Sequence, residues 1–216
     1  MQLFIGNQNY SSWSLRAWLI FSQYQLDVEV VKLKLFTEDF YTQLEGVTPT
    51  AKVPTLVDNA VTVWDSLAIL EYVNEQYLQG KAWPSEIAER AKARAIAAEM
   101  HSGFSDLRNE LPMNIRGLRK IDLSEGAKKD IQRIDDIWAA QAKLYPEGWL
   151  FGEWSIVDAM YAPVVLRFLT YGIGLSEGAS AYQHKVLTSP SLQPWLEQAG
   201  LERDVVIEDE AGAEIE

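Results

Sequence analysis

Along the first third of the chain, apolar and polar positions switch between a two-residue and a helical repeat; beyond that only the helical repeat persists. Leu3-Phe4-Ile5 is a short apolar run that predicts a strand over 2–6. Leu15, Trp18 and Leu19 fall at helical spacing and predict a helix over 14–25. Val31, Leu33 and Leu35 alternate with Lys32 and Lys34, which predicts a strand over 28–35, followed by an irregular helical turn. Val53–Val57 and Val61–Trp64 are β-branched or aromatic runs parted by Asp58-Asn59-Ala60, so a hairpin is expected. Leu67, Ile69, Leu70, Tyr72, Val73 and Tyr77 then return to a helix. Strand–helix–strand implies a parallel pair and the hairpin adds antiparallel edges, so the expected sheet is mixed and four-stranded.

Gly80 to Ser85, with Pro84, reads as a linker, after which strand signals largely disappear. Ile131, Ile134 and Trp138 mark one long helix, and Val157, Tyr161, Val164 and Phe168 mark another that is largely buried and kinked at Pro163. Ser155 and Asp158 stand at capping-box spacing ahead of that second helix. Ser189-Pro190 is expected to supply the cap and first residue of a helix carrying Leu192, Trp195 and Leu196. The second half is therefore expected to be all helical, and no internal repeat is visible.

At 216 residues and 48% hydrophobic composition the chain can bury a sizeable core, as one large or two small domains. No stretch approaches the roughly 18 apolar residues of a membrane span, and no secretory leader is evident. The net charge of −12 argues against a nucleic-acid partner. Much of it is local: Glu202, Asp204, Glu208, Asp209, Glu210, Glu214 and Glu216 face only Arg203, so residues 202–216 are expected to form an acidic, flexible tail. The absence of cysteine rules out disulfides and is compatible with a reducing cytoplasm. His101 and His184 are the sole histidines; no metal spacing exists, and His101 reads as a structural side chain.

Candidate chemistry gathers at two helix starts. Asp65-Ser66 precedes a helix and caps it on the plainest reading. On the functional reading the helix N-terminus holds a carboxylate while Asp65 pairs with an amine, the two charges of an α-amino acid group. Pro54 cannot donate to a ladder, which leaves Val53 at a free edge able to pair with an extended peptide. The second start is Asn9-Tyr10-Ser11-Ser12-Trp13-Ser14-Leu15-Arg16. One serine suffices for a cap, and the surplus hydroxyls suit an anion such as a thiolate.

These clusters, in this order, resemble the glutathione transferase family. Ser11-Ser12-Trp13-Ser14-Leu15-Arg16 resembles the Ser-Ser-Cys-Ser-x-Arg signature of its zeta class, of which maleylacetoacetate isomerase is a member. Ala51-Lys52-Val53-Pro54-Thr55-Leu56 resembles the loop before the family's third strand. Asp65-Ser66 resembles its Glu/Gln-Ser pair for the γ-glutamyl group, and Ser155-Ile156-Val157-Asp158 its capping motif. The likeness covers roughly residues 2–200 and implies an α/β thioredoxin-like N-terminal domain over 1–80 and an all-α domain over 86–201 that forms the electrophile pocket. It also implies a cytoplasmic homodimer using glutathione as co-substrate, without a metal, against a small electrophile.

By that resemblance Ser11, or its neighbour Ser12, is the thiolate donor, with Tyr10 a weaker candidate. Lys52, Val53, Pro54, Asp65 and Ser66 bind glutathione, and Trp13, Phe104, Arg108 and Met113, with Pro112, line the electrophile pocket. Arg16 is either the family's first-helix arginine or a structural ion-pair partner. Trp13 replaces the signature cysteine, which excludes thiol exchange through a protein nucleophile and puts maleylacetoacetate isomerisation in question. Transferase, isomerase and peroxidase chemistry all share the thiolate. The alternative from another class is a non-catalytic interaction module that keeps the fold.

Overall fold

β1 (Gln2–Ile5) is apolar at all but its first position because it lies inside a sheet. A computed structural model describes residues 1–215, with β1 flanked by β2 (Glu29–Lys32) on one side and β3 (Thr55–Asp58) on the other, and β4 (Val61–Trp64) at the far edge. β1 and β2 run parallel, with Leu3 opposite Val30; β3 is antiparallel to both β1 and β4. This is the expected mixed sheet of a thioredoxin-like domain, with β2 shorter than predicted. α1 (Ser12–Tyr24) and α3 (Ser66–Leu78) pack together on it, while Phe4, Leu33 and Leu44 pack with Phe40 of α2 (Glu38–Leu44).

After the linker come α4 (Ile87–Ser102), α5 (Ser105–Glu110), α6 (Glu125–Leu144), α7 (Ile156–Thr170), α8 (Glu177–Leu187) and α9 (Gln193–Leu201). α7 is the hub of this helical domain: all of its residues except Leu169 are buried, and it packs against α1 as well as α4 and α8. Trp138 of α6 is wholly buried, its ring 5.9, 5.5 and 5.0 Å from those of Tyr161, Phe168 and Tyr182. The predicted Ser155–Asp158 capping box is formed, with Asp158 accepting from the Ser155 backbone N–H at 2.8 Å. Asp158 also accepts from the Leu150 N–H at 3.2 Å and the Tyr182 hydroxyl at 3.1 Å, so one carboxylate joins α7, α8 and the loop before them.

Three expectations need correction. α9 begins at Gln193 rather than at Pro190; Ser189 and Ser191 instead bond to each other at 2.7 Å in a turn before it. The second half is not entirely helical, because β5 (Arg119–Lys120) pairs with β6 (Ala213–Glu214). That ladder belongs to the segment after α9, which is laid along the protein rather than free in solvent as the acidic composition suggested. Three of its acids have partners: Glu202 is buried beneath the β1–α1 loop, Asp204 pairs with Lys34 at 2.8 Å, and Glu210 pairs with Arg119. Residue 216 of the expected tail lies outside the described residues. Among the described residues no helix is long and apolar enough to cross a membrane.

Asp158→Ala removes the acceptor shared by four donors, at roughly 1–3 kcal/mol for each buried group left unpaired and with losses that are not additive. Urea unfolding is expected to show a loss of about 3 kcal/mol or more.

Candidate functional site

The loop from Asn7 to Ser11 has no strand partner, and side chains from the far end of the sequence hold it. The Glu202 carboxylate accepts from the backbone N–H groups of Gln8 at 2.8 Å and Asn9 at 3.0 Å, and pairs with Lys32 at 3.2 Å. Trp195 Nε1 donates to the Gln8 carbonyl at 2.9 Å. Asn9 is wholly buried, donating to Asn114 Oδ1 at 2.9 Å and accepting from the Arg116 N–H at 2.9 Å. The loop that delivers the serines is thereby fixed from both sides.

Tyr10, Ser11, Ser12 and Trp13 then line a cavity of about 640 Å³, walled also by Phe36, Tyr41, Lys52, Val53, Arg108, Pro112, Arg167 and Asp209. A larger groove, of about 820 Å³, lies at the linker, but it contains none of the hydroxyl-rich turn. α1 begins at Ser12, two residues earlier than predicted, and no side chain caps it. The two candidate serines are differently engaged. The Ser11 hydroxyl donates to Ser14 Oγ at 2.7 Å, which itself accepts from the Gly6 N–H at 3.1 Å. The Ser12 hydroxyl accepts from Arg167 Nη2 at 3.1 Å, which leaves its own proton uncommitted. Tyr10 donates to Glu210 Oε1 at 2.5 Å and accepts from Arg116 Nη2 at 3.2 Å, so its hydroxyl is already spent.

At the other helix start, Asp65 Oδ1 caps α3 by accepting from Leu67 N–H at 2.9 Å and Ala68 N–H at 3.3 Å. Asp65 Oδ2 lies 3.1 Å from His101 Nε2, and the His101 ring meets Trp13 edge-on at 5.4 Å, which links this start to the cavity wall. Ser66 is buried, and its hydroxyl has no partner. Val53, before a cis bond to Pro54, lines the cavity and precedes the first ladder pair of β3, Thr55 with Trp64. Asp65 and Ser66 do not themselves line the cavity that holds Ser12 and Val53, but the unpaired Ser66 hydroxyl at the start of α3 is a donor of the kind an amino-acid carboxylate needs, and Val53 stands where an extended peptide could pair.

Two expected pocket residues are elsewhere. Phe104 and Met113, which flank α5, are packed in the main core; Trp13, Arg108 and Pro112 line the cavity. Arg108 and Arg16 both stack on Trp13, at 5.5 and 4.2 Å from the ring centre. Burial, then the nearby Arg167 and Arg108 charges, pushes Arg16 down to about 9, which still leaves it charged at neutral pH. Arg167 and Asp209 escaped the sequence reading. Arg167 had a signal, a charge inside the apolar run Val164-Val165-Leu166-Arg167-Phe168, whereas Asp209 was hidden by the apparent tail. Among the described residues no cluster of His, Asp and Glu is placed to hold a metal ion.

Comparison with known proteins agrees with this architecture. Residues 10–76 match the family description "Glutathione S-transferase, N-terminal domain". A "Probable maleylacetoacetate isomerase" of Caenorhabditis elegans is 34% identical over 99 residues, 46% of this chain and 46% of that protein, so the chain spans under half of that relative's length. A "Stringent starvation protein A homolog" of Haemophilus ducreyi is 25% identical over 197 residues, 88% of this chain and 87% of the other. A crystal structure titled as a glutathione transferase homolog from Burkholderia gl BGR1 with bound glutathione superposes with TM-score 0.71 at 24% identity, covering 92% of this chain and 97% of that one. A thioredoxin-like domain joined to a helical domain is thus the fold. Residues 10–76 are similar to the N-terminal domain of glutathione S-transferases, and the chain as a whole has the fold of solved glutathione transferases.

Burial raises the Asp209 carboxyl to about 6 from its ordinary 3.8, against the opposing pull of Arg167. An acid whose folded pKa is raised destabilises the fold once ionised: the penalty is absent below pH 3.8 and complete above about 6. Asp209→Asn is therefore expected to gain melting temperature relative to the parent as pH rises through that window, with no difference at its acid end; thermal unfolding across pH checks this.

Proposed function

We propose that the chain binds glutathione in this cavity and ionises its thiol for attack on a small electrophile, as a glutathione transferase or a glutathione-dependent isomerase. The observation that carries the reading is the Ser12 hydroxyl, with a free proton at an uncapped helix start, in the same cavity as the Val53 backbone edge. Residues 1–80 bind glutathione: Ser66 and the α3 N-terminus take the γ-glutamyl carboxylate, Asp65 takes its amine, Val53 pairs with the cysteinyl amide beside Pro54, and Lys52 approaches the glycyl carboxylate. Residues 86–201 present the electrophile side, with Arg108, Pro112 and the helix-α1 residue Trp13. Relatives named as glutathione S-transferase and maleylacetoacetate isomerase support this reading.

The electrostatics favour an anion. In a protein of net charge −12, the described residues that line the cavity include Lys52, Arg108 and Arg167 against a single acid, Asp209. A free thiol near pKa 8.5 is only a few per cent ionised at neutral pH, and lowering it by about two units takes ~2.7 kcal/mol. A hydrogen bond to a charged acceptor supplies roughly 1.5–3 kcal/mol and a helix N-terminus roughly 0.3–1 more. One serine at a helix start is enough. Ser11 was the expected donor from the zeta signature; its proton is directed to Ser14, and the role falls to Ser12.

A homodimer in the cytoplasm completes the proposal, supported by Val61, Trp64 and Tyr77, large side chains left exposed on β4 and α3. Peroxidase turnover draws on the same thiolate. A non-catalytic interaction module is the second reading, favoured by the likeness to the Haemophilus stringent starvation protein over most of both chains.

Titration calorimetry with reduced glutathione, then turnover with a panel of electrophiles, separates the two readings: binding with turnover supports the enzyme, binding without it the module. Ser12→Ala is expected to lower kcat about 10- to 100-fold with little change in glutathione affinity, and Ser11→Ala far less. Ser66→Ala is expected to show the opposite pattern, weakening glutathione binding about tenfold while kcat at saturation is kept. Equal turnover in Ser12→Ala and the parent removes Ser12 from the mechanism.

A further inference from the structure

Arg167 sits in the last turn of α7, in the helical domain, yet its guanidinium reaches the first residue of α1 in the other domain. It is buried, and its fork is anchored by protein carbonyls: Nη1 donates to Arg108 O at 3.1 Å and to Leu111 O, while Nη2 donates to Ser12 Oγ at 3.1 Å. Nε is buried with no partner. Among the described residues no carboxylate forms an ion pair with Arg167, Arg108 or Arg16. A buried cation without a counter-charge costs stability, and a protein that keeps one at its candidate site leaves a place for an anion.

From this geometry we infer that Arg167 is a positioning residue for thiol activation, acting through Ser12, and that Asp209 of the C-terminal segment sets the strength of its effect. The inference rests on the glutathione reading above. Arg167 occupies a lone pair of Ser12 Oγ, so the hydroxyl can rotate only among positions that point its proton elsewhere, and the charged donor polarises that O–H into a stronger donor. When glutathione ionises, its thiol proton leaves to solvent and the Ser12 proton stays on oxygen, hydrogen-bonded to the sulfur anion. Ser11 has no such support, because its neighbour in the turn is the neutral Ser14.

Charged and titratable groups face Arg167 from every side. Arg108 on α5 and Arg16 on α1 share its sign, Tyr171 lies just past the end of α7, and Asp209 approaches from the 3-10 turn Ile207–Asp209. Among the described residues Asp209 is the only acid lining the cavity, and it opposes the arginine field without forming an ion pair with it. The arginine field therefore acts on whatever anion enters, and the C-terminal segment tempers it. Two substitutions should move the thiol in opposite directions.

The test is the pKa of the glutathione thiol on the enzyme, read from thiolate ultraviolet absorbance across pH and from the pH profile of kcat/KM. Arg167→Met should raise that pKa by about 1–2 units, as removal of a neighbouring opposite charge does, cutting thiolate at neutral pH about tenfold or more. Glutathione affinity should change much less, and Arg167→Lys should recover most of the shift. Asp209→Asn should lower the pKa. A folded Arg167→Met protein that binds glutathione with the parental thiol pKa overturns the inference. If Arg167→Met does not fold, Asp209→Asn decides: a lowered pKa supports the inference, and an unchanged or raised one overturns it. Failure of the parent protein to bind glutathione at all instead removes the functional reading beneath it.

Discussion

A single buried carboxylate, that of Glu202, holds the β1–α1 loop in place, and the geometry of the candidate site depends on it. Two consecutive backbone N–H groups, of Gln8 and Asn9, have no strand or helix to satisfy them, and both donate to this one side chain. Charge-assisted bonds of this kind are about twice as strong as neutral ones, and leaving the donors buried without an acceptor would cost more than the bonds are worth. Lys32 offsets part of the charge. With the loop fixed, Tyr10, Ser11 and Ser12 have defined directions, and the direction of each hydroxyl proton distinguishes the serine that is free from the tyrosine and serine that are not.

The same segment explains how an acidic protein carries a basic site. Glu202, Asp204 and Glu210 are consumed by Lys32, Lys34, Arg119 and the loop N–H groups, so their charge is spent on docking the chain end. The arginines of the cavity are not matched in this way. Arg16 and Arg167 are buried on backbone carbonyls, Met160 in one case and Arg108 and Leu111 in the other, which orients the guanidinium groups and leaves them without a carboxylate in direct contact among the described residues. Low dielectric surroundings then magnify their action on a neighbouring anion.

The fold was legible in the sequence wherever a local rule decided it. The mixed sheet followed from alternation and turn chemistry, the Asp65 cap from its place before an apolar helix, and the Ser155–Asp158 box from its spacing, because each is settled by residues within a few positions of one another. The errors arose where distant residues decided the outcome. The acids after Glu202 look like a solvated tail until the loop they cap and the arginines they meet are known, and nothing local shows either. Ser11 and Ser12 are adjacent and chemically identical, so their difference lies in Ser14 on one side and Arg167, from another domain, on the other. Phe104 and Met113, on either side of α5, fall in the core for the same reason, since whether a connecting segment faces the core or the cavity is a tertiary matter.

The most direct test of this account is a crystal structure of the protein with reduced glutathione. The account predicts the peptide backbone paired with Val53, the γ-glutamyl carboxylate on Ser66, and the sulfur within hydrogen-bond distance of Ser12 Oγ while Tyr10 stays on Glu210. Glutathione seated with its sulfur on Tyr10 or Ser11, or held outside the cavity altogether, would contradict it.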